Sequence, residues 1–252
     1  MMKLIHFGCS FAVGNGVPDY VRGLKSGAYV HTGDMRDEFM RRYKMEPKEP
    51  QACGSIIADK LNFGFELVAE NGASNEMIFR KALETDLNNS FVLVGFTSNN
   101  RREGLTTVKK SSHWHTWKMK APGEVAKYKD LIFQPWKDEY KPAIEEEGQI
   151  RTVIQIIYMQ NYFKSNNIPY LMFNALWNGF DLPLTRECDE LLGKVDENCF
   201  YKLRGAPQDT QHGWCVERKL NVSNLDDHPN LQGQEAWAKE LLPHVKAVLD
   251  AN

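Results

Sequence analysis

The chain has 252 residues, 42% hydrophobic and 25% charged, an ordinary composition for a soluble globular protein. Its formal net charge of -2 leaves no electrostatic footprint for nucleic acid or an anionic membrane, and no apolar run reaches membrane-spanning length. Five cysteines without a CxxC pair argue against a disulfide framework or a zinc ribbon. The short apolar start, interrupted by His6, does not read as a secretion signal, so a reducing cytoplasm is the expected location.

In chain order, Lys3 to Phe7 reads as a strand running into Gly8-Cys9-Ser10-Phe11. Residues 17 to 50 read as loop, with one helix around Met35 to Tyr43. Ala52, Ile56, Ile57 and Leu61 recur at helical spacing. Phe65 to Ala69 predicts a second strand, broken by Asn71-Gly72, after which Ser74 or Asn75 caps a helix carrying Met77, Ile78, Ala82 and Leu83. Phe91 to Gly95 is a continuous apolar run, the mark of a strand covered on both faces. Residues 102 to 148 and 178 to 220 read as irregular insertions that wall the strand ends. Between them lie an amphipathic helix from Ile150 to Tyr162 and a strand from Ile168 to Phe173. A last helix runs from about Gln232 to Ala251.

Alternating strands and helices imply one domain over residues 1 to 252: a three-layer α/β/α sandwich with a mostly parallel, flavodoxin-like sheet of about five strands. Ligands of such sheets bind beyond the carboxyl ends of the strands. Ser10, Gly72 and the segment after Gly95 all follow a strand, so they belong to one rim. A serine becomes a nucleophile when an imidazole takes its proton and a carboxylate orients that imidazole. Ser10 and the cluster Asp226-Asp227-His228-Pro229 offer those groups. Each residue also has a plainer reading: Ser10 as a helix cap, Gly72 as a turn glycine and His228 as a loop histidine.

Together the segments resemble the sequence blocks of the SGNH (GDSL-like) hydrolases. Gly8-Cys9-Ser10-Phe11 resembles the first block, with the nucleophile. Gly72-Ala73-Ser74-Asn75 resembles the second, and Gly95-Phe96-Thr97-Ser98-Asn99 the third. Asp226-Asp227-His228-Pro229 resembles the block carrying acid and base. The combination is also similar to SGNH-like proteins encoded by tailed bacteriophages, which would place the protein in a host cytoplasm.

The resemblance implies an ester hydrolase working through an acyl-enzyme. Ser10 is then the nucleophile and His228 the base. Asp226 orients it, and Asp227 is the alternative. The N–H groups of Ser10 and Gly72 form the oxyanion hole, helped by Thr97 or Asn99. Thr97 stands where the family has asparagine, and Leu225 where it has the acid. Both departures favour the alternative of a weakly active or inactive SGNH-fold binding protein. Asn75, Arg101, Trp114 and Trp214 are candidate substrate contacts, the substrate being a small-molecule or glycan ester such as an O-acetylated sugar. No cofactor and no metal is expected, His113 and His115 lacking an obvious further ligand. Arg101 and Glu103 form a candidate ion pair, and Cys9 is a minor candidate nucleophile.

Overall fold

A computed structural model describes residues 1–14, 52–70, 72–108, 111–118, 141–223 and 226–251. Within these, the side chains of residues 102, 104–108, 111–118, 141–145, 223 and 226 are not among those described. The expected helix around Met35 to Tyr43 lies outside the described residues.

Five strands form a parallel sheet: β1 (Lys3–Gly8), β2 (Gly64–Ala69), β3 (Ser90–Phe96), β6 (Tyr170–Asn174) and β7 (Phe200–Tyr201). Their spatial order is β2-β1-β3-β6-β7. Numbered within the sheet, this is 2-1-3-4-5, the flavodoxin-like order, whose direction reverses between β1 and β3. It is the arrangement that the SGNH resemblance implies. Strand β3 is buried at all seven positions and β6 at all five, as their unbroken apolar runs require.

Helix α1 (Ser10–Val13) follows β1 directly, and α2 (Cys53–Leu61) precedes β2. Helices α3 (Asn75–Glu84) and α4 (Lys141–Ser165) flank β3 in sequence. Helices α5 (Arg186–Leu192) and α6 (Gln211–Glu217) are short, and α7 (Leu231–Asp250) closes the chain. Helix α2 packs with α7 on one face of the sheet, and α3 packs with α4 on the other. Trp237, Phe173 and His6 meet on the α2–α7 side, all fully buried. Among the described residues no helix is long and apolar enough to cross a membrane.

Three expectations need correction. Residues 101 to 118 are not irregular: β4 (Arg101–Val108) and β5 (Ser111–Lys118) form an antiparallel hairpin. Helix α4 begins nine residues before Ile150, its first turns carrying Glu145, Glu146 and Glu147 rather than an apolar stripe. Residues 178 to 220 are not merely an insertion, because they supply β7, the fifth strand, which pairs with β6 through Phe200 and Tyr201.

Candidate active site

Ser10 opens α1 at the carboxyl end of β1, beside the point where the strand order reverses. Cys9 before it is extended, and its carbonyl accepts the N–H groups of Ala12 and Val13. The Cys9 side chain is fully buried and packs in the hydrophobic core, whereas Ser10 directs its Oγ to the His228 ring. That geometry removes Cys9 as the nucleophile.

His228 is carried by β9 (Asp226–Pro229), which pairs antiparallel with β8 (Asn221–Ser223). The segment is thus a short ribbon rather than the expected loop. Asn230 pins its end: Oδ1 accepts the Gly233 N–H at 2.9 Å and caps α7, while Nδ2 donates to the Asn221 carbonyl at 3.1 Å. Gly233 lets this corner close, because a Cβ there would lie 2.4 Å from the Leu220 carbonyl oxygen.

The corner brings His228 Nε2 to 2.8 Å from Ser10 Oγ, across 218 residues of sequence. With the ring proton on Nδ1, Nε2 accepts the hydroxyl proton. The imidazole lies over the Phe11 ring, centroids 5.0 Å apart, so the residue after Ser10 seats the His228 side chain. Of the two candidate acids, Asp227 is exposed and its carboxylate lies 3.5 Å from Nε2 of His212. The Asp226 side chain lies outside the described residues.

The second and third blocks differ from expectation in detail. Gly72 has φ +78, the left-handed region that favours glycine, while a Cβ there would meet nothing within 4 Å. Conformation, not space, therefore selects glycine at this turn. Arg101 donates through a guanidinium N–H to the carbonyl of Ala73 at 3.2 Å, tying β4 to the Gly72 turn. Its expected partner Glu103 instead binds Arg80, at 2.7 Å.

Thr97 is fully buried and its hydroxyl has no hydrogen-bond partner, so that oxygen is not offered to a substrate. Asn75 is likewise buried and committed. Its Oδ1 accepts the Thr97 N–H at 2.8 Å, and its Nδ2 donates to the Thr97 carbonyl and to Thr152 Oγ1. Asn75 thus clamps α3 to the end of β3 rather than contacting substrate. Asn99 donates through Nδ2 to the Asn178 carbonyl at 3.2 Å. Trp214 packs edge-on against Trp237, with the Arg218 guanidinium 4.2 Å from its ring centroid. The side chains of Trp114, His113 and His115 lie outside the described residues. Among those described, no group of three or more His, Cys, Asp or Glu gathers as for a metal.

Two neighbours of the site carry no motif that sequence reasoning could use. His212, near the start of α6, meets the Phe11 ring edge-on at 5.9 Å, and its N–H bonds the Ala175 carbonyl beyond β6. Gln234, fully buried on α7, donates to the Phe11 carbonyl at 3.0 Å.

No family model matches the chain, and no curated protein matches it. Among solved structures it is similar to a lipase from a goat rumen metagenome, at 12% identity and TM-score 0.48, with 97% of each chain covered. It is also similar to an acetyl xylan esterase from the rumen bacterium Butyrivibrio proteoclasticus, at 15% identity and TM-score 0.47, covering 99% of this chain and 64% of that one. A carbohydrate esterase described as having divergent catalytic and non-catalytic binding functions is 12% identical at TM-score 0.45, with 98% and 65% covered. This chain therefore spans about two thirds of the length of those two esterases. None of these likenesses points to a bacteriophage source.

Proposed function

We propose that the protein is a serine ester hydrolase acting through an acyl-enzyme. The observation that carries this reading is the 2.8 Å contact between Ser10 Oγ and His228 Nε2 at the carboxyl rim of a parallel sheet. Ser10 Oγ attacks the ester carbonyl carbon while His228 takes the hydroxyl proton. The carbonyl π electrons move onto oxygen, and the N–H groups of Ser10 and Gly72 hold the resulting oxyanion. The bond to the alkoxy oxygen then breaks, and His228 returns the proton to the departing alcohol. Water, deprotonated by His228, releases the acid and restores Ser10. Asp226 orients His228, a role that falls to it because Asp227 faces His212. An O-acylated carbohydrate is the proposed substrate class. Trp177, 38% exposed just beyond β6, offers a ring face for a sugar.

A second reading has one observation in its favour. With the Thr97 hydroxyl buried and one Asn99 N–H engaged by the Asn178 carbonyl, the third block lacks an exposed donor at position 97, as suits an SGNH-shaped binding protein with little activity. A fluorophosphonate probe separates the two. The hydrolase labels, and Ser10→Ala abolishes labelling. A folded wild-type protein that stays unlabelled at every dose overturns the hydrolase reading.

A further inference from the structure

Gln234 sits where three segments of the site converge. Its Nε2 donates to the Phe11 carbonyl at 3.0 Å, one residue after the nucleophile. Its Oε1 accepts the Cys53 backbone N–H at 3.0 Å and the Gln211 side-chain N–H at 3.3 Å. The amide orientation is fixed by its partners, since a backbone N–H only donates and a carbonyl only accepts. Cys53 opens α2 behind Ala52, which has no side-chain acceptor, so Gln234 satisfies an N–H that the helix itself leaves open. Gln211 opens α6 and directly precedes His212. Gln234 itself stands in the first turns of α7, five residues after Pro229 ends the ribbon carrying His228.

A fully buried amide with this many satisfied bonds is costly to misplace. It therefore sets the separation between the α7 corner and the turn of α1. Those two elements hold the imidazole and the hydroxyl respectively, and Phe11 is part of both contacts: its carbonyl meets Gln234 and its ring lies under His228.

We infer that Gln234 is a positioning residue that holds Ser10 and His228 at hydrogen-bonding distance, without touching substrate. The inference rests on the serine hydrolase reading above. Losing the Phe11 bond frees the α1 turn to shift against β9. Misplacement by about 1 Å at a reacting pair costs about 100-fold in rate.

The test uses the full chain and three readouts: kcat and KM on p-nitrophenyl acetate, the second-order rate of fluorophosphonate labelling, and the thermal midpoint. Gln234→Met keeps the length of the side chain and removes all three bonds. It is expected to lower kcat and the labelling rate together, about 10- to 100-fold, with KM within about twofold. Gln211→Met removes a member of the same buried group that does not touch the α1 turn, and is expected to leave kcat within about threefold. Equal loss in both variants, a rise in KM alone, or labelling by folded Gln234→Met at the wild-type rate each overturns the inference while leaving the hydrolase reading intact. Should Gln234→Met and the isosteric Gln234→Glu both fail to fold, the amide belongs to the core alone and the inference is likewise overturned. A wild-type protein that does not label overturns both.

Discussion

His6 makes the protein's stability depend on pH in a way that a single substitution removes. It lies in β1, fully buried, with neither ring nitrogen hydrogen-bonded. Gly54 of α2 presses on the ring so closely that a Cβ would sit 2.5 Å from Nδ1. Burial pulls the pKa down to about 3 from an ordinary 6.5. Between those values the unfolded chain binds a proton that the folded chain refuses. Stability is therefore unaffected well above pH 6.5 and falls as pH drops below it. Each pH unit within the window costs about 1.4 kcal/mol, so lowering the pH from 7 to 5 costs about 2 kcal/mol through this group. His6→Leu deletes the term and leaves every other titrating group in place. Urea unfolding of both proteins at pH 7, 6 and 5 measures the difference. The stability of His6→Leu relative to wild type should grow by about 2 kcal/mol across that range. A difference that stays constant with pH would show that the ring is protonated or solvated in the folded state, and the burial argument would fail.

Asn75→Leu leaves the Thr97 N–H buried without its acceptor and should cost about 1–3 kcal/mol, read from denaturant unfolding. Gly233→Ala pushes a methyl into the Leu220 carbonyl and should cost about 1–3 kcal/mol in thermal unfolding, with a loss of kcat as the His228 corner shifts. An unchanged midpoint would mean that the corner yields freely. Arg101→Met removes the bond to the Ala73 carbonyl and should lower the fluorophosphonate labelling rate several-fold at unchanged secondary structure by circular dichroism. Equal labelling would separate Arg101 from the Gly72 turn.

Several elements were legible in the sequence because their patterns have one physical cause. Phe91 to Gly95 reads as a strand because only a strand covered on both faces needs so long an apolar run. Ser74 announces α3 because its hydroxyl caps the Met77 N–H. By contrast β7 is two residues long, too short for any periodicity to register. The β4–β5 hairpin alternates charged, small and aromatic residues without a clean apolar face, so no single template fits it. In the site, Ser10 and His228 were legible because their neighbours form recognisable blocks. The partners of Asp227, Thr97 and Asn75 were not, because a side chain's direction is decided by contacts remote in sequence. Gln234 looked like any polar residue of an amphipathic helix, and only packing reveals that three segments share its amide.

Ser10 and His228 stand 218 positions apart, and that separation also sets when their contact can exist. At a synthesis rate of about 5–20 residues per second, the serine leaves the ribosome about 10–40 s before the histidine does. Throughout that interval the nascent chain carries Ser10 without the imidazole that meets it in the fold. The Ser10–His228 contact thus forms only once the β8–β9 ribbon has been made and seated, so the contact itself reports that docking.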